Sequence, residues 1–388
     1  MAVDRSKRVA FSFGGRTVAG FEGQSIAGAL YASGVRTFSR SFKYHRPRGL
    51  LCVAGRCPNC LMNVDGVPNV RVCVEPVRDG ARVRSQNAFP SLELDALHVV
   101  DRLDRFLPVG FYYKTFMRPR RLWPVYEKVL RTIAGLGSLG ESDDAAGRFD
   151  REYRYADVAV IGGGPAGLGA ALEAASLGVD VILVDEQPAL GGHLRYRARI
   201  SDGRPGAEGR TGSEIAADLA REVAGRPGIE VLVGATAFGF YEGNLIGVAR
   251  GRRLIELRAR RTVFATGRFE RPLVFENNDL PGVMLGSGAL RLLRLDGVRP
   301  GRRAVVVVAS DEGLALAGEL LDAGVGIAAV ADLRPASPAT LPVVQTLLEA
   351  GVPVLPAHAV TAARGTTCVT GATLAKLDEL GLPVPGSE

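Results

Sequence analysis

Four of the chain's five cysteines fall in one stretch, "CVAGRCPNCLMNVDGVPNVRVC", as Cys52, Cys57, Cys60 and Cys73. Thiols this close can form disulfides or bind metal, and in a reducing compartment clustered cysteines more often bind metal. The spacing C-x4-C-x2-C-x12-C is that of a plant-type [2Fe–2S] site, where one curled loop supplies three thiolates and a nearby strand the fourth. Ala54 and Gly55 are small enough to let backbone N–H groups turn toward the sulfurs. Zinc, the alternative metal, usually sits between two C-x2-C knuckles, and only one such pair is present. Purely structural cysteines are the remaining reading. A [2Fe–2S] centre moves one electron at a time, so the preferred reading is an electron relay. Cys368 stands alone and reads as an incidental thiol.

A second constellation is "VAVIGGGPAG", which places Gly162, Gly164 and Gly167 as G-x-G-x-x-G between an apolar strand and a helix. That context marks a dinucleotide site. The first glycine allows the tight turn, the second lets the pyrophosphate approach the helix N-terminus, and the third allows close helix–strand packing. The next apolar strand ends at Asp185 and Glu186, where a carboxylate can accept from a ribose hydroxyl and disfavour an extra phosphate. "LGGH", with Gly191 and Gly192, and "VFATG", with Thr266 and Gly267, resemble segments of the glutathione-reductase superfamily. The resemblance implies that these residues pass close to the bound dinucleotide, FAD or NAD. His193 follows as a possible flavin or surface contact. No catalytic residue is assigned.

A second βαβ pattern, "AVVVVASDEGLALAGELLDAGVGIAAVADLRP", has Ala309, Asp311 and Leu314 where glycines are expected, with Asp332 at the end of its second strand. Asp311 would repel a pyrophosphate. This unit reads as a degenerate Rossmann scaffold.

These residues require a mixed α/β chain. Strands on either side of Gly14-Gly15, the helix "QSIAGALYASG", the cysteine loop and a hairpin at Asp65-Gly66 fit a β-grasp, ferredoxin-like α+β domain over residues 1–100. Residues 101–155 read as a linker with a short helix near Tyr126–Ile133; its Phe111, Tyr112, Tyr113 and Trp123 are expected to pack between domains. Residues 156–300 read as a Rossmann-type FAD/NAD(P)-binding domain, and 301–388 as the degenerate unit, with a fold apparently incomplete at the C-terminus.

The 388 residues are 47% hydrophobic and 23% charged, as in a soluble globular protein, and the net charge is +7. The arginines are scattered without interleaved aromatics, which argues against nucleic acid. Lys43, Arg46 and Arg48, just before the cysteines, could dock an acidic partner or lie in a solvated loop. The start lacks a secretory pattern and the apolar runs are too short for a membrane span, so a cytoplasmic protein is expected.

"SFKYHRPRG", "PVGFYYKTF", the Gly162 turn, "RPLVFENNDLPGVMLGSGA" and "VVVVASDEGLALAGELLDAGV" together resemble the α subunit of heterotetrameric sarcosine oxidase, in its N-terminal part. The resemblance implies a multi-subunit enzyme that oxidises a secondary amine. It implies a flavin-containing β subunit carrying the amine site, FMN at a subunit interface, NAD on the α subunit, and further small subunits. The α subunits of that family generally lack the cluster cysteines, whereas related opine, hydroxyproline and cyanide-forming dehydrogenases carry a ferredoxin-like component. The intact set here therefore points to a dehydrogenase passing electrons from flavin to a [2Fe–2S] cluster. Two other readings are a self-sufficient NADH-dependent flavin and iron–sulfur oxidoreductase, and a structural NAD-binding subunit without turnover.

Overall fold

The computed structural model describes residues 3–106, 110, 118–133, 135, 149–197, 209–337 and 339–388. The expected packing role of Phe111, Tyr112 and Tyr113 lies outside the described residues.

Strands β1 (Asp4–Phe13) and β2 (Arg16–Glu22) form an antiparallel hairpin around Gly14-Gly15. Helix α1 (Ile26–Ala32) follows. Its N-cap Ser25 accepts from the Gly28 N–H, and every residue from Ile26 to Tyr31 is buried. A short pair, β3 (Ser39–Arg40) and β4 (Pro47–Arg48), precedes the cysteine loop. Then β5 (Leu61–Val64) and β6 (Val67–Arg71) turn at Asp65-Gly66, both at positive φ. Strand β7 (Arg82–Arg84) inserts between β1 and β5, giving the sheet order β2-β1-β7-β5-β6. Its parallel pairing with β1 and antiparallel pairing with β5 build the expected β-grasp sheet. Phe11, Ile26, Leu30, Met62 and Val83 fill the core between sheet and helix. Farther on, a 3-10 helix spans Ala96–Phe106, and α2 runs Trp123–Ile133 with Trp123 half-buried.

Residues 141–269 form one compact unit. It contains β8 (Asp150–Ile161), α3 (Pro165–Ser176), β9 (Val181–Asp185), α4 (Gly212–Gly225), β10 (Ile229–Val233), β11 (Thr236–Tyr241), β12 (Leu245–Arg250) and β13 (Arg253–Phe264). The sheet order is β10-β9-β8-β13-β12-β11, with β10, β9, β8 and β13 parallel. The apolar runs of β8 and β9 are buried on both faces, as central parallel strands require. Thr211 and Glu214 close the start of α4 as a capping box.

Residues 270–388 join residues 2–140 in the other compact unit. They supply α5 (Gly286–Arg294), β14 (Arg303–Val308), α6 (Asp311–Asp322), β15 (Gly326–Asp332), α7 (Pro342–Glu349) and β16 (Val354–Pro356). The three strands form a parallel sheet in the order β14-β15-β16, and β17 (His358–Arg364) pairs with β18 (Gly371–Lys376) as a hairpin. Leu292 and Val298 are buried in the ferredoxin-like core, and Met284 packs against it. The join is also polar: Gln24 Nε2 donates to the Asp296 carbonyl at 2.8 Å, and Arg48 pairs with Asp279 at 2.7 Å.

The structure corrects the register of the second fingerprint. Gly164 caps α3 and Ser310 caps α6, so Ser310 takes the second-glycine position. A Cβ at Gly313 would lie 2.8 Å from the Val308 Cβ, which identifies Gly313 as the third glycine. The equivalent positions are therefore Val308, Ser310 and Gly313, one residue earlier than Ala309, Asp311 and Leu314. With only one glycine in the turn, the sequence offered no anchor for the count. Among the described residues, no helix is long and apolar enough to cross a membrane.

Candidate functional site

The loop between β4 and β5 curls because Val53 and Gly55 both adopt positive φ. That curl turns three backbone N–H groups inward. Ala54 and Arg56 donate to Cys52 Sγ at 3.4 Å each, and Gly55 donates to Cys73 Sγ at 3.3 Å. Cys73 is brought in from just beyond β6, where the Val72 N–H bonds the Cys60 carbonyl at 3.3 Å. Cys52, Cys60 and Cys73 are buried and Cys57 is half-buried.

The loop thus gathers the sulfurs of Cys52 and Cys73 around its inward N–H groups and ties Cys60 to the Cys73 segment through Val72. Among the described residues, no three Cys, His, Asp or Glu side chains converge as one metal ion would need. Four cysteines on one curled loop and the segment after β6 are the donor set of a two-iron cluster. The S–H groups of Cys57 and Cys73, and then the loop N–H groups, hold the Cys52 thiol well below its ordinary value. Sharing protons with Cys52 and Cys60 raises Cys73. Cys57 is raised in the same way by Cys52, so the thiols share protons among themselves, while the loop N–H groups favour charge on Cys52.

The cations before the loop are drawn into the fold. Arg46 pairs with Asp101 and Arg48 with Asp279, each at 2.7 Å, and Lys43 Nζ donates to the Tyr44 hydroxyl. Two of the three residues read as a docking patch thus anchor the β3–β4 hairpin. Sequence reasoning missed His45, which is fully buried with Nδ1 2.7 Å from Asp95 Oδ2. Asp95 lies 50 residues away, and no local pattern connects the two.

In the other compact unit, the chain leaves β8 at Ile161 and turns through Gly162 at φ +109°. A Cβ there would lie 2.3 Å from the Ala265 carbonyl oxygen, and one at Gly167 only 1.8 Å from the Gly162 carbonyl oxygen. The two glycines let the turn, the helix and the end of β13 close on one another. Gly191 donates to the Gly163 carbonyl at 2.8 Å, and a Cβ at Gly192 would lie 2.8 Å from the Gly164 Cα. Gly162, Gly164, Gly167, Gly191 and Gly192 are thus brought together, with Thr266 and Gly267 exposed just past Ala265.

Asp185 turns inward. Its Oδ2 accepts from the Gly163 N–H at 2.5 Å and its Oδ1 from the Gln187 N–H at 2.7 Å. Glu186 stands exposed beside it, as does His193 farther along. The first turn of α3 carries no acidic residue and no side-chain cap, so its N–H groups and dipole face outward for an anion.

The second Rossmann unit is arranged oppositely. Ser310 caps α6, and Asp311 and Glu312 occupy its first turn. Asp332, fully buried, receives Arg334 Nε and Nη2 and the Ser337 hydroxyl, while Arg334 Nη1 reaches Asp311 at 2.7 Å. One guanidinium joins the two carboxylates nearest the place a dinucleotide would lie.

Comparison with known proteins agrees with this geometry. Residues 6–88 match the 2Fe-2S iron-sulfur cluster binding domain, and residues 156–380 match the family described as pyridine nucleotide-disulphide oxidoreductase. The chain belongs to the pyridine nucleotide-disulphide oxidoreductase family. The two matches bear out the expected fold class, a ferredoxin-like domain followed by a Rossmann-type FAD/NAD-binding domain. They also bear out the expected cofactor classes, [2Fe–2S] and a dinucleotide.

This oxidoreductase is similar to "Sarcosine oxidase subunit alpha" of Rhizobium meliloti (strain 1021), at 41% identity over 355 residues, covering 86% of this chain and 35% of that protein. It is similar to "Hydrogen cyanide synthase subunit HcnA" of Pseudomonas aeruginosa, at 34% identity over 73 residues, covering 19% of this chain and 69% of that one. The resemblance to sarcosine oxidase α subunits read from the sequence is thus borne out. The fold is shared with the crystal structure of L-proline dehydrogenase from P. horikoshii, with TM-score 0.64 and 24% identity over 97% of this chain and 58% of that one. The chain spans about a third of the length of the sarcosine oxidase α subunits it matches.

Proposed function

We propose that this chain is the electron-relaying, dinucleotide-binding α subunit of a multi-subunit oxidoreductase acting on the CH–NH bond of a secondary amine, sarcosine or a related imino acid. The observation that carries the reading is the four-cysteine loop whose backbone N–H groups point at the sulfurs of Cys52 and Cys73. In this reading Cys52 and Cys57 hold one iron of a [2Fe–2S] cluster, and Cys60 and Cys73 the other. The N–H groups of Ala54, Gly55 and Arg56 offset charge on the sulfurs. Such a cluster, when bound, accepts and passes on one electron at a time.

Gly162 and Gly164 with the start of α3 take the pyrophosphate of FAD or NAD, and Gly167 keeps the helix close to the turn. Gly191, Gly192, Thr266 and Gly267 line the approach. Asp185 and Glu186, at the end of β9, take the ribose hydroxyls; the Asp185 oxygens, which accept from Gly163 and Gln187, each keep a further lone pair. The amine site belongs to a flavin-containing β subunit, with FMN at the subunit interface and further small subunits completing the assembly. The word "subunit" in the names of those relatives supports this division. A self-sufficient NADH oxidoreductase is disfavoured by the acidic first turn of α6.

Co-purification from the native host, with iron, sulfide and nucleotide analysis, tests the reading. Two irons, two sulfides and one dinucleotide per chain, together with a flavoprotein partner, are expected. A chain isolated without partners that oxidises NADH by itself would overturn it.

A further inference from the structure

Helix α5, which precedes the second Rossmann unit, rests directly on the cysteine loop. The N–H of Leu285, its N-cap, donates to the Leu51 carbonyl at 3.0 Å. At Gly288 a Cβ would lie 2.7 Å from the Leu51 carbonyl oxygen and 3.1 Å from the Cys52 carbonyl carbon and oxygen. Only a glycine brings the first turn of α5 onto the peptide that leads into Cys52. The positive end of a helix dipole therefore lies against the backbone of a cluster ligand, where it favours added negative charge.

That helix end is not bare. Both oxygens of the Glu270 carboxylate are bound to it: Oε1 accepts from the Gly286 N–H at 2.9 Å, and Oε2 from the Ser287 N–H and hydroxyl at 2.8 and 2.7 Å. Glu270 is exposed, yet these three bonds fix its charge on the helix end that touches the loop. The reduction potential of an iron–sulfur cluster follows the charge around it, because reduction adds a negative charge. A fixed anion makes that addition harder.

We propose that Glu270, held on the N-terminus of α5, sets the reduction potential of the cluster in the Cys52–Cys73 loop by keeping it lower than the helix dipole alone would make it. The inference rests on the [2Fe–2S] reading of the four cysteines. It assigns to the segment from Glu270 to α5, which leads into the second Rossmann unit, a role in tuning the neighbouring redox centre. Glu270 is a charge-setting residue that acts through the end of α5.

The test is an anaerobic potentiometric titration, read by the electron paramagnetic resonance of the reduced cluster, on the full chain with the partners that co-purify with it. Iron and sulfide content is measured first; a wild-type chain without them defeats the [2Fe–2S] reading itself. With the cluster present, Glu270→Gln is expected to move the midpoint potential upward, and the shift should shrink as salt rises because the carboxylate is exposed. Ser287→Ala, which alters the cap but not its charge, is expected to leave the midpoint in place. Ser287→Asp, which adds a carboxylate at the same helix end, is expected to move it downward and stands in should Glu270→Gln fail to accumulate. A cluster-loaded Glu270→Gln with the wild-type midpoint would overturn the proposal. So would a Ser287→Ala shift as large as that of Glu270→Gln, or a Ser287→Asp midpoint equal to wild type.

Discussion

The Asp296 carboxylate accepts a 2.7 Å hydrogen bond from the Ser25 N–H, tying the loop after α5 to the cap of α1 across 271 residues of sequence. Among the described residues no ion pair reaches it, and burial pushes the Asp296 carboxyl up from 3.8 to about 6, with the Ser25 bonds working in the opposite direction. The folded state thus holds the proton more tightly than the unfolded state. The stability this contributes is fully present below 3.8 and lost as pH rises through about 6. At neutral pH the buried anion costs up to about 3 kcal/mol, at roughly 1.4 kcal/mol per pK unit. Asp296→Asn keeps an acceptor for Ser25 and removes the charge. Urea unfolding should show the variant more stable than wild type at pH 8 and nearly equal at pH 4. Equal curves at both values would mean that the carboxylate is not held as an uncompensated anion.

Two glycines only two positions apart in α3 carry opposite expectations. A methyl at Gly167 would lie 1.8 Å from the Gly162 carbonyl oxygen, so Gly167→Ala must push the helix off the turn. Loss of retained dinucleotide and destabilisation of about 1–3 kcal/mol or more are expected, as for other overpacked sites. Gly169 has nothing within 4 Å of its added Cβ. Gly169→Ala should leave binding intact and add about 1 kcal/mol through helix propensity. Nucleotide extraction and thermal melts of the two variants separate these effects. Similar behaviour of the pair would show that close packing at the turn is not what the third glycine provides.

The parts of this protein that were legible in the sequence are those written locally. The cysteine spacing, the Gly162 turn between an apolar strand and a helix, and the Asp65-Gly66 hairpin each occupy a few consecutive residues. Contacts that join distant segments left no such trace. Nothing in the neighbourhood of Ser25 points to Asp296, and nothing near His45 points to Asp95. The second fingerprint was misplaced by one residue because Val308 and Ser310 have replaced the glycines that would anchor the count. Asp185 shows a subtler limit. Its position at a strand end was right, but sequence cannot show that the same carboxylate is also bonded to the Gly163 N–H.

Arg334 holds the second Rossmann unit closed. Burial alone would raise the Asp332 carboxyl, but the bonds from Arg334 and Ser337 bring it below the ordinary 3.8. Its stabilising contribution is therefore present above 3.8 and lost as pH falls through the lower folded value. Arg334→Ala leaves a fully buried carboxylate without its cation, a change that typically costs about 3–5 kcal/mol. The pH dependence should then reverse, with the variant losing stability as pH rises above about 4, because an unpaired buried acid prefers its proton. Adding Asp332→Asn to Arg334→Ala should recover much of the loss at pH 7. Denaturation profiles of the single and double variants decide this, and a double variant as unstable as the single one would assign the effect to lost packing.

Cys60 is the most telling of the four thiols to remove. It is buried and its carbonyl accepts from the Val72 N–H, so it joins the loop to the segment that delivers the fourth sulfur. Serine at this position replaces a soft thiolate with a poorly donating hydroxyl while nearly preserving volume, so the effect should fall on metal retention rather than on packing. Cys60→Ser is expected to lose its iron, acid-labile sulfide and reduced-cluster resonance. The dinucleotide should remain at wild-type stoichiometry, because the Gly162–Gly192 constellation lies wholly within the other compact unit. Cys368→Ser, at a half-buried thiol outside the loop, should change neither quantity. Metal analysis, resonance spectra and nucleotide extraction on the same preparations give the answer. Iron retained in Cys60→Ser would remove Cys60 from the ligand set, and parallel loss of the dinucleotide would show that the two sites depend on one another for folding.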